Sequence, residues 1–234
     1  MYIGLALVYA YIMRKTEIAD NYYYHVYNRG VDKRKIFMDD YDYARFQSSL
    51  FFLNDSKPVI MRFINDQAER NGEPLVEIGA YCLMSNHFHL LIKTKSAAGF
   101  TAFMQKLGTS YAMYFNKKHK RTGRLFENAF KINLINKDEY LRHISIYIHT
   151  NPLKLLEPQW QVNKINGIQL AHNFLENYKW SSYPHYIKIK KDDILNLDAF
   201  PEYFQSGRDY KDFLENWVLN YDRAKISLIF TVFT

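Results

Sequence analysis

The chain predicts an α+β fold built on one antiparallel sheet, and two observations carry that expectation. Segments with strand and helix periodicity follow in the order strand, helix, strand, strand, helix, strand, helix. The two middle strands are separated only by Ser85-Asn86, a hairpin signal that makes them antiparallel. Helices crossing between strands of one antiparallel sheet give a ferredoxin-like sandwich, expected here with its helices on one face. The core spans residues 21–153, behind an extension of residues 1–20. Residues 154–234 read as a mainly helical appendage packed on or near that core. At about 150 residues per domain, 234 residues suit one domain with such an addition.

Each element has a local reason. Residues 22–27 (YYYHVY) are aromatic and β-branched and end at Asn28-Arg29-Gly30, a strand followed by a turn. Tyr43, Phe46, Leu50 and Leu53 recur at helical spacing, with Asp39 and Asp40 placed to cap a helix. Residues 54–74 are polar, contain Asn71-Gly72, and connect that helix to the hairpin of residues 76–84 and 87–94. Phe103, Leu107, Tyr111 and Tyr114 mark a second helix over residues 99–116. A basic turn, residues 117–124 (KKHKRTGR), leads to a further strand at 129–135. Residues 138–151 form a third helix, capped near Asn136 or Asp138 and stopped by Pro152. The appendage holds Trp180-Ser181-Ser182-Tyr183, a basic patch at Lys188, Lys190 and Lys191, and a last helix near Tyr210 and Trp217.

Composition removes several classes. With 48% hydrophobic and 24% charged residues, 9 Gly and 6 Pro, collagen-like, low-complexity and disordered chains are excluded. One cysteine, Cys82, makes no intramolecular disulfide, which removes the disulfide-stapled secreted class. Lys+Arg 31 against Asp+Glu 24, a net +7, permits a polyanionic partner. Aromatics at 17%, including 20 Tyr, suit a rich core or surfaces that stack bases. Residues 1–13 are apolar, but their positive charges, Arg14 and Lys15, follow the run, opposite to the order in a signal peptide. The run is also shorter than the ~20 residues that span a bilayer. The expectation is a soluble, cytoplasmic protein with no membrane partner.

Two constellations carry chemistry. In MSNHFHLLI, His87 and His89 point to one face of their strand while Phe88 points into the opposite layer. Two imidazoles on one strand face suit a divalent-metal half-site, or else simply a solvated strand face. Tyr147 and Asn151, four apart, share a helix face, and Pro152 sets where that helix ends. The pair presents a phenol and an amide oxygen together, or else a core tyrosine and a C-terminal cap. Cys82 reads as a buried thiol, His25 as a packing residue on the first strand, and His149 as pointing away from Tyr147.

Five segments in order sharpen this reading: YHVYNRG (24–30), YCLMSNHFHLLI (81–92), FMQKLGTSYAMYFNKKHKRTGRLFE (103–127), YLRHISIYIHTNP (140–152) and WSSY (180–183). Together they resemble the REP-associated tyrosine transposases and, more widely, the single-tyrosine HUH transposases of small bacterial insertion sequences. The resemblance implies a ferredoxin-like fold, single-stranded hairpin DNA as substrate, and a divalent metal, Mg²⁺ or Mn²⁺. Position by position, it makes His87 and His89 metal ligands, Tyr147 the nucleophile, and Asn151 a third ligand, where relatives outside this branch commonly carry Gln. It implies cleavage and rejoining through a 5′-phosphotyrosine, with no need of ATP, and the chain has no Walker-type loop. Arg29, Lys33, Arg34 and Lys35 in one basic turn, and Lys117, Lys118, Lys120, Arg121 and Arg124 in another, become candidate phosphate contacts. The competing reading is a ferredoxin-like nucleic-acid-binding protein without catalysis, and a further one is a nuclease that activates water. Monomer and homodimer are both compatible with the sequence.

Overall fold

The computed structural model describes residues 17–61, 64, 69–188 and 192–221. The apolar run of residues 1–13, the C-terminal run from Ile226, and Lys190 and Lys191 lie outside the described residues.

The predicted order of elements is the observed one. Strand β1 (Tyr23–Arg29) is followed by helix α1 (Asp40–Phe52), hairpin strands β2 (Val76–Met84) and β3 (His87–Thr94), helix α2 (Ala97–Lys118), strand β4 (Lys131–Ile135) and helix α3 (Asp138–Thr150). The strands form one antiparallel sheet in the order β2-β3-β1-β4. Asp39 caps α1 by accepting from the Asp42 amide, and Ser96 caps α2 by accepting from Gly99. Helix α3 starts at Asp138 as expected, but its N-cap is Lys137, with no side-chain cap, so neither Asn136 nor Asp138 performs that role. Strand β4 begins at Lys131 rather than residue 129, and Lys117 and Lys118 belong to the last turn of α2 rather than to the loop.

The expectation that the helices share one face is corrected. Helices α1 and α2 cover the face carrying Tyr24, Val26, Phe88, Leu90 and Ile92, through Phe46, Leu50, Phe103, Leu107 and Tyr111. Helix α3 covers the other face, packing Tyr140, Leu141, Ile144 and Ile148 on Ala80, Cys82, Leu91 and Ile135. The reason lies in β2 and β3, which are buried at nearly every position instead of alternately. A strand apolar on both sides needs cover on both sides.

The appendage contributes helices α4 (Leu153–Leu156), α5 (Trp160–Asn163), α6 (Ile168–Asn177), α7 (Tyr183–Lys188) and α8 (Gly207–Leu219). Their common core of Trp160, Leu175, Tyr183, Tyr210 and Leu214 takes in Ile146 from α3. The segment before α7 lies along the outer edge of β2: the Leu83 amide donates to Trp180 O (2.9 Å) and the Ser182 amide to Tyr81 O (3.0 Å). Tyr186 Oη donates to Gly79 O at 2.7 Å. The edge strand's free backbone groups are thereby paired within the chain. Gly79 sits at a break in the β2–β3 register, and a Cβ there would lie 2.7 Å from the Phe200 ring. Among the described residues, no helix is long and apolar enough to cross a membrane.

Candidate active site

Strand register decides which side chains meet under α3. Tyr27 lies opposite His89, Arg29 opposite His87, and Cys82 and Met84 opposite the same two histidines from the β2 side. Directly opposed residues project to one face. The His87 and His89 rings therefore stand side by side, centroids 5.1 Å apart and nearly perpendicular at 88°.

Helix α3 lowers Tyr147 onto them. Its ring meets His89 edge-on at 5.7 Å and His25 at 5.8 Å. One turn later Asn151 ends the helix, its Nδ2 donating to Tyr147 O at 2.8 Å. The Asn151 side chain also lies close to the His87 imidazole and the Tyr147 phenol and acts on the ionisation of each, favouring the charged form. The chain then runs through Pro152 into the short α4, which brings Lys154 back so that its ammonium donates to Asn151 Oδ1 at 3.3 Å. Thus His87, His89, Tyr147 and Asn151 converge from one strand and one helix.

Burial sets the electrostatics. His87 is lowered to about 4, first by burial and then by the positive charges of Lys154 and Arg29. His89 is held well below the ordinary imidazole value, again chiefly by burial, and His25 is lowered to about 3 for the same reason. All three rings are therefore neutral near pH 7, the form that ligates a metal. Burial also raises the Tyr147 phenol, with Tyr221 and Tyr27 adding to the effect and Asn151 opposing it, and lowers the Lys154 ammonium.

The donors suit a cation of the kind the sequence reading implies. Among the described residues, no three His, Cys, Asp or Glu gather into a metal-binding group; the side chains here that could face a cation are the His87 and His89 imidazoles and the Asn151 amide. Each imidazole has its Nδ1 engaged by a neighbour: His87 with Asn86 Oδ1 at 2.7 Å, and His89 with His25 Nε2 at 2.9 Å. Rings anchored at Nδ1 keep Nε2 for a ligand, the usual way a protein aims a ligating histidine.

The two basic turns come together at the same end of the sheet. Gly30 bridges to Phe126, the Val31 amide donates to Leu125 O, and the Gly30 amide donates to Asn86 O beside His87. A Cβ at Gly30 would collide with Arg34 O, so the close turn requires glycine. Within this region the cations differ. Arg29 forms a forked pair with Glu127, and Arg34 pairs with Asp32 at 2.9 Å. The Lys118 ammonium is held by Asp39 (2.6 Å) and by the fully buried Asp42 (2.8 Å), which also meets His119 at 2.9 Å. Arg121 lies over the Phe115 ring, and Lys33, Lys117, Lys120 and Arg124 are exposed.

Other residues fall as expected or depart for clear reasons. Cys82 is fully buried in the layer beneath α3, and His149 points away from Tyr147, its two nitrogens bonding Tyr210 Oη (2.6 Å) and Ser182 Oγ (2.7 Å). His25 is more than a packing residue, because it meets His89 directly. Its signal is the parity it shares with Tyr27 on β1, legible only once β1 is known to pair with β3. Lys154 and Asn86 also belong to the site without a clear mark in the sequence. Lys154 sits a helical i+3 from Asn151 but across a proline, and Asn86 reads as turn chemistry alone.

Residues 19–151, more than half of the chain, match the family model of the IS200-like transposases. Among solved structures, the chain is similar to a REP-associated tyrosine transposase bound to a REP hairpin, with a TM-score of 0.47 and 11% identity over 82% of this chain and 98% of that one. No curated protein matches. The family match begins just before β1 and ends at Asn151, so it takes in the strand with His87 and His89 and the helix with Tyr147, and on that match the chain belongs to the IS200-like transposase family.

Proposed function

We propose that the protein is a metal-dependent transposase that cleaves and rejoins single-stranded, hairpin-bearing DNA through a 5′-phosphotyrosine on Tyr147. The observation that carries this reading is the convergence of a phenol, an amide and two neutral imidazoles between the sheet and α3, beside two basic turns. Tyr147 Oη attacks phosphorus in line, the bond from phosphorus to the 3′-oxygen breaks, and a 3′-hydroxyl leaves. The proton lost by the phenol balances the one gained by that oxygen. Because burial keeps the phenol protonated, its proton must depart as the new bond forms, and the neighbouring Asn151 amide favours the ionised form. A 3′-hydroxyl from a second strand reverses the step and rejoins the DNA. His87, His89 and Asn151 would hold Mg²⁺ or Mn²⁺, which would neutralise charge on the scissile phosphate.

The test is a labelled single-stranded hairpin from the DNA flanking the gene, incubated with protein and Mg²⁺ or Mn²⁺ and resolved under denaturing conditions. An SDS-resistant protein–DNA adduct that needs the metal and disappears in His87→Ala is the expected result. Specific binding without cleavage would instead identify a DNA-binding relative lacking catalysis.

The basic turns give another expectation. Lys120 is exposed and free of the ion pairs that hold Lys118, so Lys120→Ala should weaken single-strand binding and lower the slope of log K against log salt by about 0.7, one contact's worth. Lys118→Ala should instead destabilise the fold by about 1–3 kcal/mol, because it strips a partner from the buried Asp42 carboxylate. Salt titration of binding beside thermal melting of both variants separates these roles. Equal salt slopes for wild type and Lys120→Ala would remove Lys120 from the phosphate track.

A further inference from the structure

We infer that His25 is a positioning residue that fixes the tautomer of His89: it accepts a hydrogen bond from His89 Nδ1–H and so keeps His89 Nε2 unprotonated and able to ligate. The inference rests on the metal reading above, which decides between the two positions of the shared proton, but the tautomer itself is observable in the free protein.

The geometry is that of an in-plane hydrogen bond. His25 Nε2 and His89 Nδ1 are 2.9 Å apart in a buried setting. The two rings are tilted by only 16°, with centroids 5.0 Å apart. That separation is close to the nitrogen–nitrogen distance plus one ring radius on each side. The rings therefore meet edge to edge, nitrogen facing nitrogen, and are not layered face on face. Such a contact holds one proton between two lone pairs. If the proton belongs to His89, its Nε2 is bare. If it belongs to His25, neutral His89 must carry its own proton on Nε2 and cannot bind a cation there.

The neighbouring histidine shows the same device in an unambiguous form. Asn86 Nδ2 donates to Lys33 O at 3.1 Å, which sets the amide's orientation and turns its Oδ1, a pure acceptor, toward His87 Nδ1 at 2.7 Å. Neutral His87 must then carry its proton on Nδ1, leaving Nε2 bare. For both rings to offer Nε2 to one cation, His89 needs an acceptor at Nδ1 as well, and His25 is the group placed there. Among the described residues, His89 Nε2 forms no protein hydrogen bond. His25 also packs against Tyr27 (5.1 Å) and Tyr147 (5.8 Å), which hold its ring in place.

The test is long-range ¹H–¹⁵N correlation on the full chain labelled with ¹⁵N-histidine, free of metal at neutral pH. Wild type is expected to show His89 with its proton on Nδ1. His25→Leu, which removes the acceptor, should shift His89 toward the Nε2–H form and weaken Mn²⁺ binding, measured by calorimetry, about 10- to 100-fold. His25→Gln, whose amide oxygen can accept the same proton, should restore most of both. A wild-type His89 carrying its proton on Nε2 overturns the inference, as does a folded His25→Leu variant with unchanged tautomer and Mn²⁺ affinity. Should wild type hold the Nδ1–H tautomer yet bind no Mn²⁺, the metal reading fails while the positioning by His25 stands.

Discussion

Tyr147→Phe is expected to abolish the covalent protein–DNA adduct and to lower cleavage by at least about 10³-fold, the loss that follows removal of a nucleophile. The substitution is selective. It keeps the ring that meets His89 at 5.7 Å and His25 at 5.8 Å and that belongs to the layer beneath α3. It deletes only the hydroxyl, so folding and DNA affinity should stay close to wild type. The measurement is a denaturing gel of cleavage products beside an equilibrium binding assay on the same hairpin. Cleavage at the wild-type rate without an adduct would mean that water attacks phosphorus and would end the phosphotyrosine reading.

The other large effect is acid sensitivity. Burial lowers fully buried His25 and His149 to about 3 and the less buried His87 to about 4, against 6.5 for a free imidazole. Between those values and 6.5, the unfolded chain takes up protons that the folded chain refuses. Stability from these groups is therefore complete above about pH 6.5 and is lost as pH falls, the same sense as for a carboxylate held below its usual range. At pH 5, His25 and His149 each cost about 2 kcal/mol, at about 1.4 kcal/mol per pH unit. Their sum is a large share of the roughly 5–15 kcal/mol that holds a typical domain together. At about 2–4 °C per kcal/mol for a chain of this size, Tm should fall by on the order of 10 °C from pH 7 to pH 5. Asp42, held low by Lys118 and His119 despite its burial, adds its own loss at lower pH. A calorimetric Tm that stays level from pH 7 to pH 5 would show that these imidazoles are solvated.

Much of this protein could be read along the chain. Period-2 and period-3.6 patterns placed every strand and helix of the core in order, because side chains alternate on a strand and repeat every turn on a helix. The same two periods placed His87 with His89 and Tyr147 with Asn151. Element ends were less legible. Lys137 stands at the N-cap of α3 although Asn136 and Asp138 are the better capping residues, since packing on the sheet outweighs a capping bond.

What only the tertiary structure decided is pairing between segments distant in sequence. Burial on both sides of β2 and β3 put α3 opposite α1 and α2, and so set Tyr147 over the histidines. The β1–β3 register turned His25 from a packing residue into a partner of His89, 64 positions away. Basic residues that are alike in sequence divided by their neighbours: Lys118 went to Asp39 and Asp42, 76 or more positions back, while Lys120 stayed exposed. Residue type and local spacing determine what chemistry a side chain can perform and which way it leaves its own element. Which groups it meets depends on how the elements pack, and local periodicity carries no record of that.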